Sequence, residues 1–271
     1  MRTHSKRGLF LASVCALFGT AQIGSAQTIR EINGTDAASI QDTVDLFRAD
    51  LGDQNSPAPV NNIGGRREIN WDGAPDSVSD PNLFPGDFFN ADFSPRARGI
   101  EFVPTGETTG FQLSATEASG ESIEFGFDAG FTTFSPERLF TPIGDTTFDV
   151  LFFDPADPST PALSTGLGVV FTDVEDVDST SMTFYDAYDN VLLTRSVLPG
   201  SNAGLSFLGA SFDEAIVARV SIIGGLEAFD SVVMDDFIFG EPVPVSVPEP
   251  ASVALLSLVG LGGLIIRLRA H

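Results

Sequence analysis

The sequence has 271 residues and a formal net charge of −23. Its one cysteine is Cys15, its one lysine is Lys6 and its two histidines are His4 and His271, so residues 27–250 contain none of these three types. That composition excludes from residues 27–250 a disulfide, a cysteine or Schiff-base lysine nucleophile, a Ser-His-Asp triad, and a zinc site built on imidazole or thiolate.

Residues 27–250 are strongly acidic. They hold all 37 Asp and Glu residues but only nine arginines, which gives this part of the chain a formal charge of −28. Such a surface repels nucleic acid and anionic lipid, so we expect no nucleic-acid partner. A solvated acidic face is the plainer interpretation, and a surface that concentrates divalent cations is the alternative.

The first 26 residues have the three parts of a secretory signal peptide. Three basic residues among the first seven precede an apolar stretch, Gly8–Ile23, and Gly24-Ser25-Ala26 then supplies small residues at the cleavage position. We therefore expect cleavage by signal peptidase before Gln27 and export of the remainder. This segment takes no part in the predicted fold.

Residues 27–65 predict one soluble helix followed by a connector. Thr35 or Asp36 can cap a helix that runs to Leu51, and Gly52 follows as a stop. Apolar side chains recur at helical spacing within it, at Ala37, Ile40, Val44, Phe47 and Leu51. We expect this helix to cover one face or end of a sheet. Residues 53–65 form a polar connector rich in Pro, Asn and Gly.

Residues 66–240 predict an all-β domain. Arg66–Gly73 alternates apolar and polar residues like a half-buried strand. Ten further β-rich runs follow, separated by turn residues and without intervening helices: Ile100–Val103, Gly110–Ala115, Ser122–Phe127, Thr146–Phe153, Gly166–Val174, Thr180–Asp186, Val191–Val197, Leu205–Phe212, Ile216–Ile223 and Ser231–Phe239. This spacing is typical of an antiparallel β-sandwich with a jelly-roll-like topology.

The C-terminal part combines a stalk, a span and a basic end. Residues 241–250 contain four prolines and finish in Pro248-Glu249-Pro250. The uncharged run Ala251–Ile266 is near the lower length limit of a transmembrane helix. Arg267 and Arg269 in the tail 267–271 would stay on the cytoplasmic side.

These last 25 or so residues resemble the PEP-CTERM sorting signal of bacterial exosortase substrates. The resemblance rests on the Pro-Glu-Pro motif, the short span and the basic end, although only two arginines and His271 stand where the family has a longer arginine run. It implies an exosortase-type sorting enzyme as partner, transient anchoring in the inner membrane, and final location at the cell surface or in the extracellular matrix. An ordinary single-span anchor is the alternative.

Two acidic clusters are candidate calcium sites. Asp173, Glu175 and Asp176 follow a predicted strand, and grouped carboxylates are what calcium requires, although the spacing does not match an EF-hand loop.

Asp235 and Asp236 are adjacent within the apolar final strand. Because neighbouring strand residues face opposite ways, we expect one carboxylate to point inward. That charge needs a metal, an arginine such as Arg219, or backbone donors; solvent access at a strand end is the remaining possibility.

Trp71 and Asp72 are the candidate ligand-binding residues. An exposed tryptophan is a usual stacking surface for a sugar ring, but the only tryptophan of a sandwich is more often part of its core. We favour the core position for Trp71.

Two functions remain open from the sequence. The first is a non-catalytic, exported surface or matrix module that binds extracellular polysaccharide or another surface component, in keeping with the exopolysaccharide production that accompanies this sorting route. The second is a glycan-cleaving enzyme that uses a pair of carboxylates, which needs no histidine. No motif singles out such a pair among the 37 acids, so we favour the first function and name no catalytic residue.

Overall fold

The structure, a computed structural model, describes residues 26–116, 131–225 and 232–245. In chain order these residues form β1 (Gln27–Gly34), α1 (Ala37–Leu51), β2 (Arg66–Ile69), a 3-10 helix (Asp76–Val78), β3 (Ile100–Pro104), β4 (Gly110–Leu113), β5 (Phe140–Ile143), β6 (Thr147–Asp154), β7 (Asp157–Leu163), β8 (Gly166–Thr172), β9 (Thr180–Tyr185), β10 (Val191–Ser196), β11 (Leu205–Phe212), β12 (Arg219–Gly224), β13 (Val233–Gly240) and β14 (Val243–Pro244).

The strands form two antiparallel sheets of seven strands each. The first has the order β1-β11-β8-β13-β5-β4, with β2 also paired to β13. The second has the order β10-β9-β12-β6-β7-β14, with β3 also paired to β6. The predicted all-β class with antiparallel pairing and one N-terminal helix is thus confirmed.

The main core lies between the two sheets and is rich in phenylalanine. On β6, for example, Phe148, Val150 and Phe152 are buried and alternate with partly exposed residues. This period of two places one set of side chains on the inner face of the sheet. Fully burying a side chain of this size contributes about 1.5–3 kcal/mol, so the sheet-to-sheet contact is the dominant stabilising interface.

Helix α1 covers the outer face of the first sheet. Asp36 caps its N-terminus by accepting a hydrogen bond from the Ser39 amide, while Ser39 Oγ accepts one from the Asp36 amide. Gly52 ends the helix with a φ of 96° that favours glycine. The buried face of the helix packs against the sheet in a second hydrophobic cluster, formed by Ile40, Val44, Phe47, Leu51, Val170, Leu205, Phe207 and Ile238. The predicted helix, its cap, its stop and its covering role are confirmed.

Most predicted strands are present. Nine of the ten runs between residues 100 and 239 are strands in the structure, and the tenth, Ser122–Phe127, lies outside the described residues. Three strands of four or more residues were not predicted: β1, β5 and β7. Because β1 pairs along its whole length with β11, residues 27–34 belong to the first sheet rather than to a separate N-terminal segment.

The terminal predictions lie outside the described residues. They are the signal peptide up to residue 25, the motif Pro248-Glu249-Pro250, the run 251–266 and the tail 267–271. Within the three described ranges, no helix combines the length and apolar character needed to cross a membrane.

Candidate functional site

A β-bulge on β13 brings Asp235 and Asp236 together. Met234 pairs with Phe171 on β8, but the next paired residue, Phe237, faces Val169, so β13 has one residue more than β8 over this stretch. A bulge interrupts the regular alternation of side chains. Both carboxylates consequently approach the same group, the hydroxyl of Ser135, at 3.0 Å from Asp235 Oδ1 and 2.5 Å from Asp236 Oδ1.

The expectation that only one of the two carboxylates points inward is therefore wrong, because both are buried. Both side chains contact Ser135, and Asp236 also contacts Arg48 of helix α1, which covers the outer face of the first sheet. The two residues are 0 % and 3 % exposed. The inference from strand alternation failed because it assumed a regular strand. The neighbours of the pair on the inner face, Met234 and Phe237, are the residues that enter the main core.

Asp235 is held by backbone donors. Its Oδ2 accepts hydrogen bonds from the amides of Phe134 (2.6 Å) and Ser135 (3.1 Å). Burial, followed by the charge of Asp236, raises the pKa of Asp235 to about 8. Asp235 is thus the member of the pair that holds a proton at neutral pH.

The hydrogen count around Ser135 agrees with this assignment. A serine hydroxyl carries a single hydrogen and can donate to only one carboxylate at a time. With Asp235 protonated, its Oδ1–H donates to Ser135 Oγ, and the serine hydroxyl donates to the charged Asp236. The short Ser135–Asp236 distance is that of a charge-assisted O–H···O⁻ bond.

Asp236 is paired with Arg48 of helix α1. The Nη2 atom of Arg48 lies 3.2 Å from Asp236 Oδ2 and 2.9 Å from Glu68 Oε2, and Arg48 Nη1 reaches Asp45. Burial raises the pKa of Asp236, while Ser135 and Arg48 oppose that shift. The arginine proposed from the sequence, Arg219, is not involved.

Arg219 lies in the second sheet and has partners of its own. Its guanidinium contacts Asp149 at 3.1 Å and Asp189 at 3.0 Å, and it lies 3.8 Å from the ring centroid of Tyr185. The assignment of Arg219 to Asp235 and Asp236 is therefore wrong. Sequence reasoning missed Arg48, although its position one residue after Phe47 places it at the edge of the buried helix face.

Trp71 belongs to the main core. It is 1 % exposed and stacks on Phe140 with ring centroids 4.5 Å apart. Its Nε1–H donates to the Asp235 carbonyl at 2.6 Å, which satisfies its polar atom inside the protein. Its backbone φ is 66°, a conformation that is rare for a bulky residue. The broad faces of the indole are thus covered, as the favoured interpretation of the sequence expected.

Asp72 organises the neighbouring backbone. Its Oδ1 accepts hydrogen bonds from the amides of Glu137 (2.7 Å) and Arg138 (3.2 Å), and its Oδ2 accepts one from Asn70. Burial raises the pKa of Asp72, although the two backbone donors act against it. Asp72 also lines an open cavity of about 500 Å³ together with Asp76 and Glu137.

The acidic loop after β8 lies apart from the aspartate pair. Asp173 accepts a hydrogen bond from the Ala203 amide at 2.6 Å, whereas Glu175 and Asp176 are exposed. In the part of the chain that the structure describes, no group of three or more acidic side chains is arranged to hold a metal ion. Calcium binding by Asp173, Glu175, Asp176, Asp235 and Asp236 stays a prediction from the sequence.

Comparison with protein-family models and with curated proteins gives no relative from which a role could be carried over. No protein-family model matches the chain, and no curated protein matches it.

Proposed function

We propose that this chain is an exported protein of the cell surface or extracellular matrix, and that its acidic β-sandwich is a non-catalytic module for binding or organising extracellular polysaccharide. Signal peptidase would remove residues 1–26. The run 251–266 would hold the protein in the inner membrane until an exosortase-type enzyme acts at Pro248-Glu249-Pro250. The terminal signals of the sequence support this route.

The burial of the Asp235–Asp236 pair carries the non-catalytic part of the proposal. A glycosidase needs two carboxyl groups that reach the glycosidic bond from opposite sides, about 5–10 Å apart. Here the two groups share one hydroxyl and are 0 % and 3 % exposed. A raised pKa is common to catalytic acids and to buried structural acids, so the burial is what distinguishes them. The pair therefore supports structure rather than hydrolysis.

A glycan-cleaving activity is the second candidate, and the cavity beside Asp72 is the observation that favours it. Asp72, Asp76 and Glu137 line this open space, and the raised pKa of Asp72 suits a general acid. Against it, Asp72 is occupied by the Glu137 and Arg138 amides, and Asp76 is paired with Arg138. These contacts suit a structural role for both aspartates.

We also propose a jelly-roll-like connectivity for the sandwich. Consecutive strands repeatedly change sheet: β8 is followed by β9 in the other sheet, β10 by β11, β11 by β12, and β12 by β13. Such alternation between two facing sheets is typical of jelly rolls.

One experiment tests export and sorting. Protein recovered from the cell surface is analysed by mass spectrometry, with the wild type beside a variant in which Pro248, Glu249 and Pro250 are alanine. We expect the wild-type surface protein to begin at Gln27 and to lack Arg267 and Arg269, and the variant to keep its tail. Full-length surface protein that ends in His271 would contradict the proposal.

A second experiment separates binding from hydrolysis. The full-length chain is applied to a glycan array, and every glycan it binds is then incubated with it and assayed for new reducing ends. We expect binding without new reducing ends. New reducing ends that disappear in Asp72→Asn would favour the enzyme, and an array without any bound glycan would contradict the binding module.

A further inference from the structure

Arg96 and Arg98 differ from the other arginines of the described residues. Seven arginines form ion pairs with carboxylates: Arg30, Arg48, Arg66, Arg67, Arg138, Arg195 and Arg219. Arg96 and Arg98 form none with the residues that the structure describes. Residues 27–250 contain 37 acids and only nine arginines, so two neighbouring arginines without a carboxylate partner among the described residues require an explanation.

Both guanidinium groups are positioned by aromatic rings and backbone carbonyls. Arg96 donates from Nε to the Phe88 carbonyl at 2.7 Å and lies 3.9 Å from the Phe88 ring centroid. Arg98 lies 5.0 Å from the Phe89 ring centroid and donates from Nη1 to the Glu68 carbonyl. These contacts fix the planes of the two groups and leave both Nη atoms of Arg96 and Nη2 of Arg98 without an acceptor among the described residues.

The two arginines line one cavity of about 340 Å³. Trp71, Phe88, Phe89 and Asn70 also contribute to its wall. This volume is near the lower end of the range for small-molecule sites, about 300–1,000 Å³, and suits one ring-sized group. The aromatic side chains supply an apolar part of the wall, and the guanidinium groups supply hydrogen-bond donors at the same place.

The electrostatics of the cavity favour an anion. Burial, followed by the charge of Arg67, lowers the pKa of Arg98 to about 10, and Glu68 only partly offsets this. Arg98 remains protonated at neutral pH, so its charge is present and incompletely compensated. Arginine donors bind a carboxylate in a fixed, paired geometry, which makes a carboxylate the fitting partner.

We propose that this cavity binds a carboxylated sugar unit of an acidic polysaccharide, with Arg96 and Arg98 donating to its carboxylate and the aromatic wall contacting the C–H face of its ring. The inference rests on the proposed function and names the class of glycan. It also explains how a strongly acidic surface can hold an acidic polymer, since the attraction comes from two arginines that form no ion pair with the described residues.

Trp71 allows a direct test, because it is the only tryptophan and lines the cavity. The full-length chain, purified in a mild detergent, is titrated with trigalacturonic acid while tryptophan emission is recorded. Three matched titrations use its methyl ester, acetate and inorganic phosphate. We expect a saturable change in emission with trigalacturonic acid and none with the other three.

Charge-removing variants then locate the contact. Arg96→Gln and Arg98→Gln should each weaken trigalacturonate binding about tenfold, as expected when a hydrogen bond to a charged group is lost. Arg195→Gln, which removes an arginine of the exposed edge strand β10, should bind like the wild type. Thermal melting checks the fold of each variant, and Arg96→Gln carries the test if Arg98→Gln does not fold.

Several outcomes would overturn the inference: an absence of saturable binding, equal binding of the methyl ester, equal binding of acetate or phosphate, or unchanged affinity in Arg96→Gln. If the chain bound a neutral polysaccharide on the glycan array but did not bind trigalacturonic acid, the acidic-sugar inference would be wrong. The proposed binding module would still stand. If no glycan bound, both the acidic-sugar inference and the proposed binding function would be wrong.

Discussion

Arg67 on β2 and Glu241, one residue after the end of β13, form an ion pair from which solvent is excluded. Their side chains are 1 % and 0 % exposed, and two hydrogen bonds of 2.7 Å join them in a paired geometry. Asn55 and Asn62 of the connector also donate to Glu241. Glu241, the first residue of the predicted stalk, is thereby fixed to β2 and to the connector.

The first prediction concerns this pair. Glu241→Gln leaves the guanidinium of Arg67 buried without a counter-ion, and breaking a buried pair costs about 3–5 kcal/mol of unfolding free energy. We expect Tm to fall by roughly 10 °C in a thermal melt followed by circular dichroism, at about 2–4 °C per kcal/mol for a domain of this size. The control is Arg30→Gln, which breaks the more exposed Arg30–Asp50 pair and should cost less than about 1 kcal/mol. Equal changes in Tm for the two variants would contradict the prediction.

The second prediction concerns the contact between helix α1 and the first sheet. A Cβ atom added at Gly209 would lie 2.7 Å from Phe47, so Gly209→Ala must displace the ring and should cost about 1–3 kcal/mol. In a Phe47→Ala background only the contact with Phe207 at 3.0 Å remains, so the cost of Gly209→Ala should fall. Urea unfolding of the four members of this double-mutant cycle measures the coupling.

The control for that cycle is Gly110→Ala, whose added Cβ would have Leu83 as its nearest neighbour at an ordinary 3.9 Å. It should change stability by less than about 0.5 kcal/mol. If Gly209→Ala cost the same with and without the Phe47 ring, the helix would not be packed on the sheet as described.

Local signals explain what the sequence predicted well. The limits of helix α1 followed from the Asp36 cap and from Gly52, both of which act within one turn of the helix ends. The strand Leu205–Phe212 was predicted at its observed limits, because this uncharged and mostly apolar run is bounded by turn residues.

Long-range pairing explains what the sequence could not predict. The strand β7 has the sequence DPSTPAL, and its two prolines argue against a strand because they have no N–H to donate. Their carbonyls can still accept, as that of Pro161 does from the Val245 amide at 3.0 Å. Ser135 is about 100 residues from Asp235 along the chain, and no local pattern relates them. The bulge at Asp235–Asp236 likewise depends on its register with β8.

The third prediction begins from the proton on Asp235. Its pKa is about 8 in the folded protein and about 3.9 in an unfolded chain, so the folded state holds a proton that the unfolded state releases between about pH 4 and pH 8. Stability should therefore be greatest at the acidic end of this window and fall as pH rises towards 8, by an amount on the order of a few kcal/mol. Urea unfolding of the full-length chain at several pH values between 5 and 9 measures this slope.

The last prediction replaces Asp235 by its neutral isostere. In Asp235→Asn the amide oxygen can still accept from the Phe134 and Ser135 amides, and the amide nitrogen can donate to Ser135 Oγ, which is the pattern of the protonated acid. We therefore expect the variant to match the wild type near pH 5, to be more stable by about 1–3 kcal/mol near pH 9, and to lose most of the pH dependence. Asp236→Asn is the matched control, because it removes the charge that faces Arg48 and should destabilise the protein by about 1–3 kcal/mol at neutral pH. If Asp236→Asn rather than Asp235→Asn removed the pH dependence, the shared proton would belong to Asp236, and the hydrogen-bond chain through Ser135 would run in the opposite direction.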